Sequence, residues 1–315
     1  MKKIFAILKL TRVLNLTIVA LTLYIFRWYV FEPALRNCFR VSFISDLNFY
    51  LLTIAAVLTT AAGYIINDYF DQTIDGINKP EKQIVGTIIK PKFAQTLFYI
   101  FSAISIILGT FVAYKIGSIN LAAIPIIAIF MLWYYSFKYK RTFLWGNIVI
   151  SFLSGFLIVS LWLFEFFGMR NSIHGFVHCK KFFNEATNIV FIYFIFAFLI
   201  SLIREIVKDM EDVEGDKVAK RQTLPIKLGM EKTKKVLYVL VSLFIAYSAY
   251  IQYVLVQINK TWVSIYSVVI ITLPVIYVIS RLYKADEKQD YTFISGALKI
   301  VMGLGLIMIL IYGFL

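Results

Sequence analysis

Charge is scarce in this chain, and so are cysteine, histidine and long polar tracts. Asp, Glu, Lys and Arg make up 16% of the 315 residues, 60% are hydrophobic, and the mean hydropathy is +0.80. Too little polar surface remains to cover a water-soluble globule, so the expected solvent is a lipid bilayer. With only Cys38 and Cys179, a disulfide-built scaffold is excluded; one bond between them is possible and nothing in the sequence requires it. The two histidines, His174 and His178, sit beside Cys179 like a small metal cluster, but their segment reads as an ordinary outer loop. No Pro-, Gly- or Ser-rich linker and no low-complexity tract divides the chain, so residues 1–315 are expected to form a single integral-membrane domain.

What the chain has in abundance is apolar length. About 20 apolar residues cross roughly 30 Å of hydrocarbon, and nine such runs can be counted: 5–31, 47–70, 93–116, 121–137, 144–167, 189–207, 236–256, 263–279 and 293–315. The first follows Lys2 and Lys3 as a secretory signal would. Arg12 and Asn15 interrupt it and no small-residue cleavage site follows, so it is expected to stay as a span. The expected fold is all-α: a polytopic membrane protein with nine transmembrane helices in one bundle.

The formal net charge of +14 invites a nucleic-acid partner, but its distribution fits membrane topology instead, and no nucleic acid is expected. Of the 32 lysines and arginines, 23 fall at the N-terminus and after the second, fourth, sixth and eighth spans; 8 fall on the alternate loops and Lys299 lies within the last span. The positive-inside rule then puts the N-terminus in the cytoplasm of a multi-pass cell-membrane protein and the C-terminus outside.

Acidic residues are few, 18 in all, and half of them crowd into two short windows. The first holds Asn67-Asp68, Asp71 and Asp75; the second runs from Arg204 to Asp216 and includes Asp209, Asp212 and Asp216. Both have the spacing D-x2-D-x3-D, and both follow even-numbered spans, on the expected cytoplasmic side. The recurrence after four further spans suggests two pseudo-repeated four-helix halves plus a ninth helix. Residues at i, i+3 and i+7 share one stripe of a helix if the helical turn continues through them. Two such stripes facing each other would make a magnesium site, because Mg2+ prefers hard oxygen ligands and is commonly shared between carboxylates and substrate phosphates. Ionised groups at the hydrocarbon edge cost several kcal/mol unless paired or metal-bound, which favours a functional role over a solvated loop.

Cations to neutralise a diphosphate are close in sequence: Lys79 just past the first motif, Arg204 and Lys208 before the second, and Lys140 after Tyr134-Tyr135-Ser136. Each is also a reasonable juxtamembrane contact for lipid headgroups. Arg12 and Asn15 are polar residues at membrane depth, facing either a cavity or a partner helix. Lys299 can line a cavity or snorkel, and sequence does not decide between them. The 29 Phe, 20 Tyr and 5 Trp are mainly packing and lipid-facing material, with a subset able to stabilise a cation by ring faces.

Taken together, these motifs resemble the intramembrane UbiA-type prenyltransferases. The N-D-x2-D-x3-D pattern is matched by Asn67, Asp68, Asp71 and Asp75, and the second aspartate-rich motif by Asp209, Asp212 and Asp216. Tyr135-Ser136, Lys140 and Gly146-Asn147 resemble a Y-S-x3-K...G-N stretch, and Arg12-Val13-Leu14-Asn15 an R-P-x-N stretch in which Val13 stands for proline. The resemblance implies that Asn67 and the six aspartates bind metal, with Asp71, Asp75, Asp212, Asp216 and Lys140 catalytic. It further implies that Lys79, Lys140, Arg204 and Lys208 bind diphosphate, and that Arg12, Asn15 and Tyr135 bind substrate. The segment 204–216 followed by Thr223-Leu224-Pro225 looks most like the branch that transfers a geranylgeranyl group to geranylgeranylglyceryl phosphate, making an ether lipid.

The expected chemistry is Mg2+-dependent prenyl transfer from an isoprenoid diphosphate, with geranylgeranyl diphosphate the expected donor, to a lipid or aromatic acceptor in contact with membrane lipids. A glycerol hydroxyl as acceptor gives an ether; an electron-rich ring, as in quinone or haem biosynthesis, gives an alkylated ring. A CDP-alcohol phosphotransferase needs its acids in one compact motif, whereas these lie far apart in sequence. A cation-binding transporter usually carries its site near the bilayer midplane rather than at its edge.

Overall fold

The computed structural model describes residues 2–36, 38, 42–78 and 80–314, with backbone only at 2, 3, 78, 82, 173, 174 and 314. Among the described residues there is no strand, only an isolated bridge between Val85 and Ile89. Among the described residues, nine segments are long and apolar enough to cross a membrane: Val13–Arg36, Asp46–Phe70, Pro91–Lys115, Ile119–Arg141, Trp145–Arg170, Gly175–Glu211, Met230–Gln257, Thr261–Lys284 and Lys288–Gly313. The chain divides into two compact units, residues 1–139 with 156–194, and residues 140–155 with 195–315. Their boundaries fall in the short turn Tyr139–Arg141 and inside the helices Trp145–Arg170 and Ile173–Glu211.

In the first unit, α1 (Lys2–Leu10) stops at Arg12, whose left-handed backbone (φ 53°, ψ 55°) turns the chain into α2 (Val13–Phe26). The expected span beginning at residue 5 is therefore two helices. A π-turn, Arg27–Phe31, leads to the short α3 (Glu32–Arg36). α4 (Asp46–Phe70) starts on Ser45, whose hydroxyl accepts the Asn48 N–H, and its 25 residues give about 37 Å of helix. After α5 (Gln72–Asn78), Pro91 opens α6 (Pro91–Lys115), where proline's missing N–H costs nothing. α7 is Ala123–Phe137. Gly63 lets α4 approach α7 closely, since a Cβ there would lie 2.9 Å from the Leu132 side chain. A core of Ala6, Leu10, Ala62, Ile65, Ile66, Ile84, Val85, Ile89, Phe98 and Ile129 lies beneath the first motif and ties α1 and the 84–89 loop to α4 and α6.

At the far end of α4 from that motif, Arg27 is 1% exposed. It donates to the Ile44 carbonyl at 3.1 and 3.2 Å and to Asp46 Oδ1 at 2.6 Å, and its Nη1 lies 3.8 Å from Glu165 Oε1. The Trp28 and Phe49 rings cover the guanidinium at 5.0 and 4.6 Å. Glu165, fully buried on α8 (Trp145–Arg170), also accepts from the Ser42 hydroxyl and from the Phe43 N–H at 2.9 Å. In the same unit Cys38 and Cys179 form a disulfide. Cys179 lies not on a loop but in α9 (Ile173–Glu211), with His178, so the loop expected over 174–179 is helical; nothing is described of the His174 side chain.

The second unit contains the aspartate-motif end of α9, then α10 (Val213–Val218), α11 (Leu224–Leu228), α12 (Met230–Gln257), α13 (Thr261–Ser267), a π-turn Val268–Thr272, α14 (Leu273–Lys284) and α15 (Lys288–Phe314). Ile200, Ile203, Ile206, Val207 and Met210 recur at helical spacing on α9, and the core they join includes Leu237, Val241, Phe244, Val275, Val278, Ile294 and Leu298. Lys299, half-buried, neighbours that core on α15.

Candidate active site

The two aspartate motifs share a backbone irregularity. Neither is one continuous helical stripe: α4 ends at Phe70 and α5 begins at Gln72, with Asp71 between them (φ −93°, ψ 5°), and α9 ends at Glu211 and α10 begins at Val213, with Asp212 between them (φ −99°, ψ 11°). The expected i, i+3, i+7 alignment is corrected accordingly. Both junctions sit in the sparsely populated bridge region, where active-site residues are frequent. Hydrogen bonding matches as well: Asp71 N–H donates to the Asn67 carbonyl and Asp75 N–H to Asp71, as Asp212 N–H donates to Lys208 and Asp216 N–H to Asp212. Two helix ends with the same bend support the sequence repeat more directly than spacing does.

In the first motif, Asp71 is 3% exposed, while Asn67, Asp68 and Asp75 are half-buried. Arg12 donates to Asp68 Oδ1 at 2.9 Å and its guanidinium lies 4.6 Å from the Tyr64 ring; Asn15 donates to the Tyr64 hydroxyl at 3.1 Å. The structure thus gathers Arg12, Asn15, Asn67 and Asp68 at one end of α4, with Tyr64 added. Gln83 donates to the Gln72 carbonyl at 2.9 Å, anchoring the following loop to α5. Lys79 lies outside the described residues. Tyr135 is half-buried in the last turn of α7.

In the second motif, Asn147 donates its amide to Asp209 Oδ2 at 2.8 Å. Arg204 and Lys208 both turn to Glu205, at 3.1 Å, and Lys140, on the short turn Tyr139–Arg141, acts electrostatically on Glu205 and Asp216. Asp216 is 1% exposed and pairs with Arg221 at 3.0 Å, while the Arg221 N–H donates to the Asp216 carbonyl. Burial pushes the Asp216 carboxyl above its ordinary range, against the pull of Arg221 and Lys140. Gln222 N–H donates to the Arg141 carbonyl at 3.0 Å, so the 139–141 turn and the segment after α10 are tied together.

Sequence reasoning missed Arg221, Glu205 and Tyr64 as members of these clusters. Arg221 counted only as one of many loop cations, and a pairing across five residues through a tight turn has no periodic signal. That turn depends on left-handed Lys220 (φ 53°); with Arg12 and Leu144 (φ 60°), three of the four non-glycine residues at positive φ among the described residues lie at or within a few residues of a site residue. Such strained positions cluster at functional sites.

The donor set suits a hard divalent cation: carboxylate and amide oxygens, with no thiol or imidazole among the motif residues. Among the described residues no three His, Cys, Asp or Glu side chains form a ready-made metal cage. That is compatible with magnesium, which often takes one or two protein carboxylates and completes its shell with water and phosphate.

The sequence model of the UbiA prenyltransferase family matches residues 38–303. Curated relatives include digeranylgeranylglyceryl phosphate synthase of Methanothermobacter thermautotrophicus, 35% identical over 59% of this chain and 57% of that protein. The same-named protein of Methanocaldococcus jannaschii is 32% identical over 84% and 83%. The chain spans just over half the length of the first curated relatives it matches, 57% and 55%. A solved structure concerning digeranylgeranylglyceryl phosphate synthase in membranes superposes with a TM-score of 0.65 at 28% identity, over 99% of both chains. An Archaeoglobus fulgidus UbiA homologue solved with GPP and Mg2+ has the same fold, with a TM-score of 0.55 at 16% identity over 96% and 99%.

Proposed function

The chain belongs to the UbiA prenyltransferase family, and from that premise we propose that it transfers a prenyl group from an isoprenoid diphosphate to a membrane-associated acceptor in a Mg2+-dependent reaction. The preferred acceptor is a prenylglyceryl phosphate and the preferred group geranylgeranyl, giving an ether lipid. The repeated bend that places an aspartate at each of two helix junctions carries this reading; relatives named digeranylgeranylglyceryl phosphate synthase support the acceptor.

Asn67, Asp68 and Asp71, with Asp75, and Asp209, Asp212 and Asp216 would hold magnesium. Bound there, the metal supplies positive charge to the diphosphate oxygens. Lys79, Lys140, Arg204 and Lys208 add cationic donors for the charge that builds on the diphosphate as the allylic carbon–oxygen bond lengthens, stabilising the transition state more than the ground state. Glu205 holds Arg204 and Lys208 in place until a more strongly anionic partner arrives. Arg12, Asn15 and Tyr135 orient substrate, and aromatic faces shield the allylic cation until the acceptor oxygen captures it and loses its proton.

Incubating purified membranes with labelled geranylgeranyl diphosphate and a panel of glyceryl-phosphate and aromatic acceptors is expected to yield a labelled ether. An alkylated ring with no ether would overturn the acceptor while keeping the reaction class.

We further place the N-terminus and both motifs on the cytoplasmic face. The basic loops support this, as does the disulfide at the opposite end of α4 from Asp71, since disulfides persist on oxidising surfaces. In sealed, right-side-out cells, a membrane-impermeant maleimide is expected to label an introduced Asn120→Cys, exposed on the connection between α6 and α7, whereas Cys38 and Cys179 are buried. An introduced Gln222→Cys should be labelled only after permeabilisation; the reverse pattern would invert the topology.

A further inference from the structure

Asn147 has no role in the mechanism above, yet its surroundings are those of a working part. It is 8% exposed, in the first turn of α8, and its side-chain amide donates to Asp209 Oδ2 at 2.8 Å. Its position is set from two sides. The Ser151 hydroxyl donates to its carbonyl at 2.6 Å, and the chain enters the helix through Leu144, a γ-branched residue held in left-handed backbone. Leucine gains nothing from that conformation, which costs about 1–2 kcal/mol, so the corner is held by what it positions. The corner brings two groups to the second motif: Lys140 before it, in electrostatic reach of Glu205 and Asp216, and Asn147 after it, on Asp209.

An amide is well suited to this place. It donates to one carboxylate oxygen without adding charge, fixing the rotamer and leaving the other oxygen to a cation. A lysine or arginine there would compete with the cation for the same carboxylate, as Arg221 would at Asp216. Groups that hydrogen-bond metal-ligating carboxylates commonly change metal affinity 10–100-fold when removed.

We propose that Asn147 is a positioning residue for Mg2+ binding: its amide holds one oxygen of Asp209 so that the other is presented to the metal. The proposal rests on the prenyl-transfer reading of the same site. Asn147→Leu keeps the side chain's shape and removes the donor; Asn147→His keeps a ring N–H at nearly the same reach. In full-length detergent-purified protein, the readout is the Mg2+ concentration giving half-maximal thermal stabilisation in the presence of geranyl diphosphate without acceptor. Turnover against Mg2+ is measured in parallel.

Asn147→Leu is expected to raise the half-saturating Mg2+ about 10–100-fold, with most turnover recovered at high Mg2+. Asn147→His should fall between the two, and in an Asp209→Asn background Asn147→Leu should add little. An unchanged half-saturation, or turnover lost equally at every Mg2+ concentration, would overturn the assignment. If Asn147→Leu does not fold, the His variant carries the same comparison. Wild type that binds Mg2+ with the diphosphate but transfers no prenyl group would count against the proposed function and not against Asn147, because the binding readout needs no turnover.

Discussion

Alanine at Asp71 or Asp212 is expected to lower prenyl transfer about 1000-fold, a loss of roughly 4 kcal/mol of transition-state stabilisation. These two are singled out because each sits at the junction of two helices, at matching φ and ψ. Removing a carboxylate from a junction takes away an anionic ligand without disturbing the long helix before it, held by Ile65 and Ile66 in the one case and by Ile206 and Met210 in the other. The effect should therefore fall on kcat and on Mg2+ dependence rather than on folding. Labelled-donor assays across a magnesium series, with thermal midpoints in EDTA as the folding control, measure both. Wild-type turnover in either variant would take that aspartate out of the metal set, and an equal fall in thermal midpoint would reassign it to structure.

A second large effect is expected far from the chemistry. Arg27→Met should destabilise the protein by about 3–5 kcal/mol, because it takes their shared cation from the buried carboxylates of Glu32 and Glu165, the latter keeping only neutral donors, the Ser42 hydroxyl and the Phe43 and Ile44 backbone. The cost comes from an uncompensated buried carboxylate rather than from the strength of the ion pair itself. Adding Glu165→Gln to Arg27→Met should thus recover part of the loss, although it removes another charge. Thermal midpoints of the single and double variants in one detergent give the comparison. A double variant less stable than Arg27→Met would mean that the network holds by geometry alone.

Much of this molecule is legible in its sequence because the signals are local. Nine apolar runs give nine spans, and an aspartate pattern repeated at two span ends gives the candidate site. Where the structure departs, the cause is non-local or sterically subtle. Residues 4–10 and 13–26 are both mainly apolar, so the sequence reads them as one span, and no glycine, proline or asparagine marks the left-handed turn at Arg12 that divides them. The sixth span reads from residue 189 because Lys180, Lys181, Asn184 and Glu185 lower hydropathy, but a helix outside hydrocarbon needs no apolar surface, and α9 starts at Ile173. Arg27 and Glu165 belong to different spans and no periodicity links them. The bends at Asp71 and Asp212 occur inside sequences that look helical throughout, and the pairing of Asp216 with Arg221 follows from the bend and the turn at Lys220.

The Cys38–Cys179 bond joins the short connection before α4 to a helix much later in the chain, and these are the only two cysteines. Reducing agents added routinely during purification have no other thiol to protect here, and they would sever the one covalent tie between those segments. Samples handled with and without reductant would then be two different molecules, and activities or melting points compared between them would measure the buffer as much as the protein.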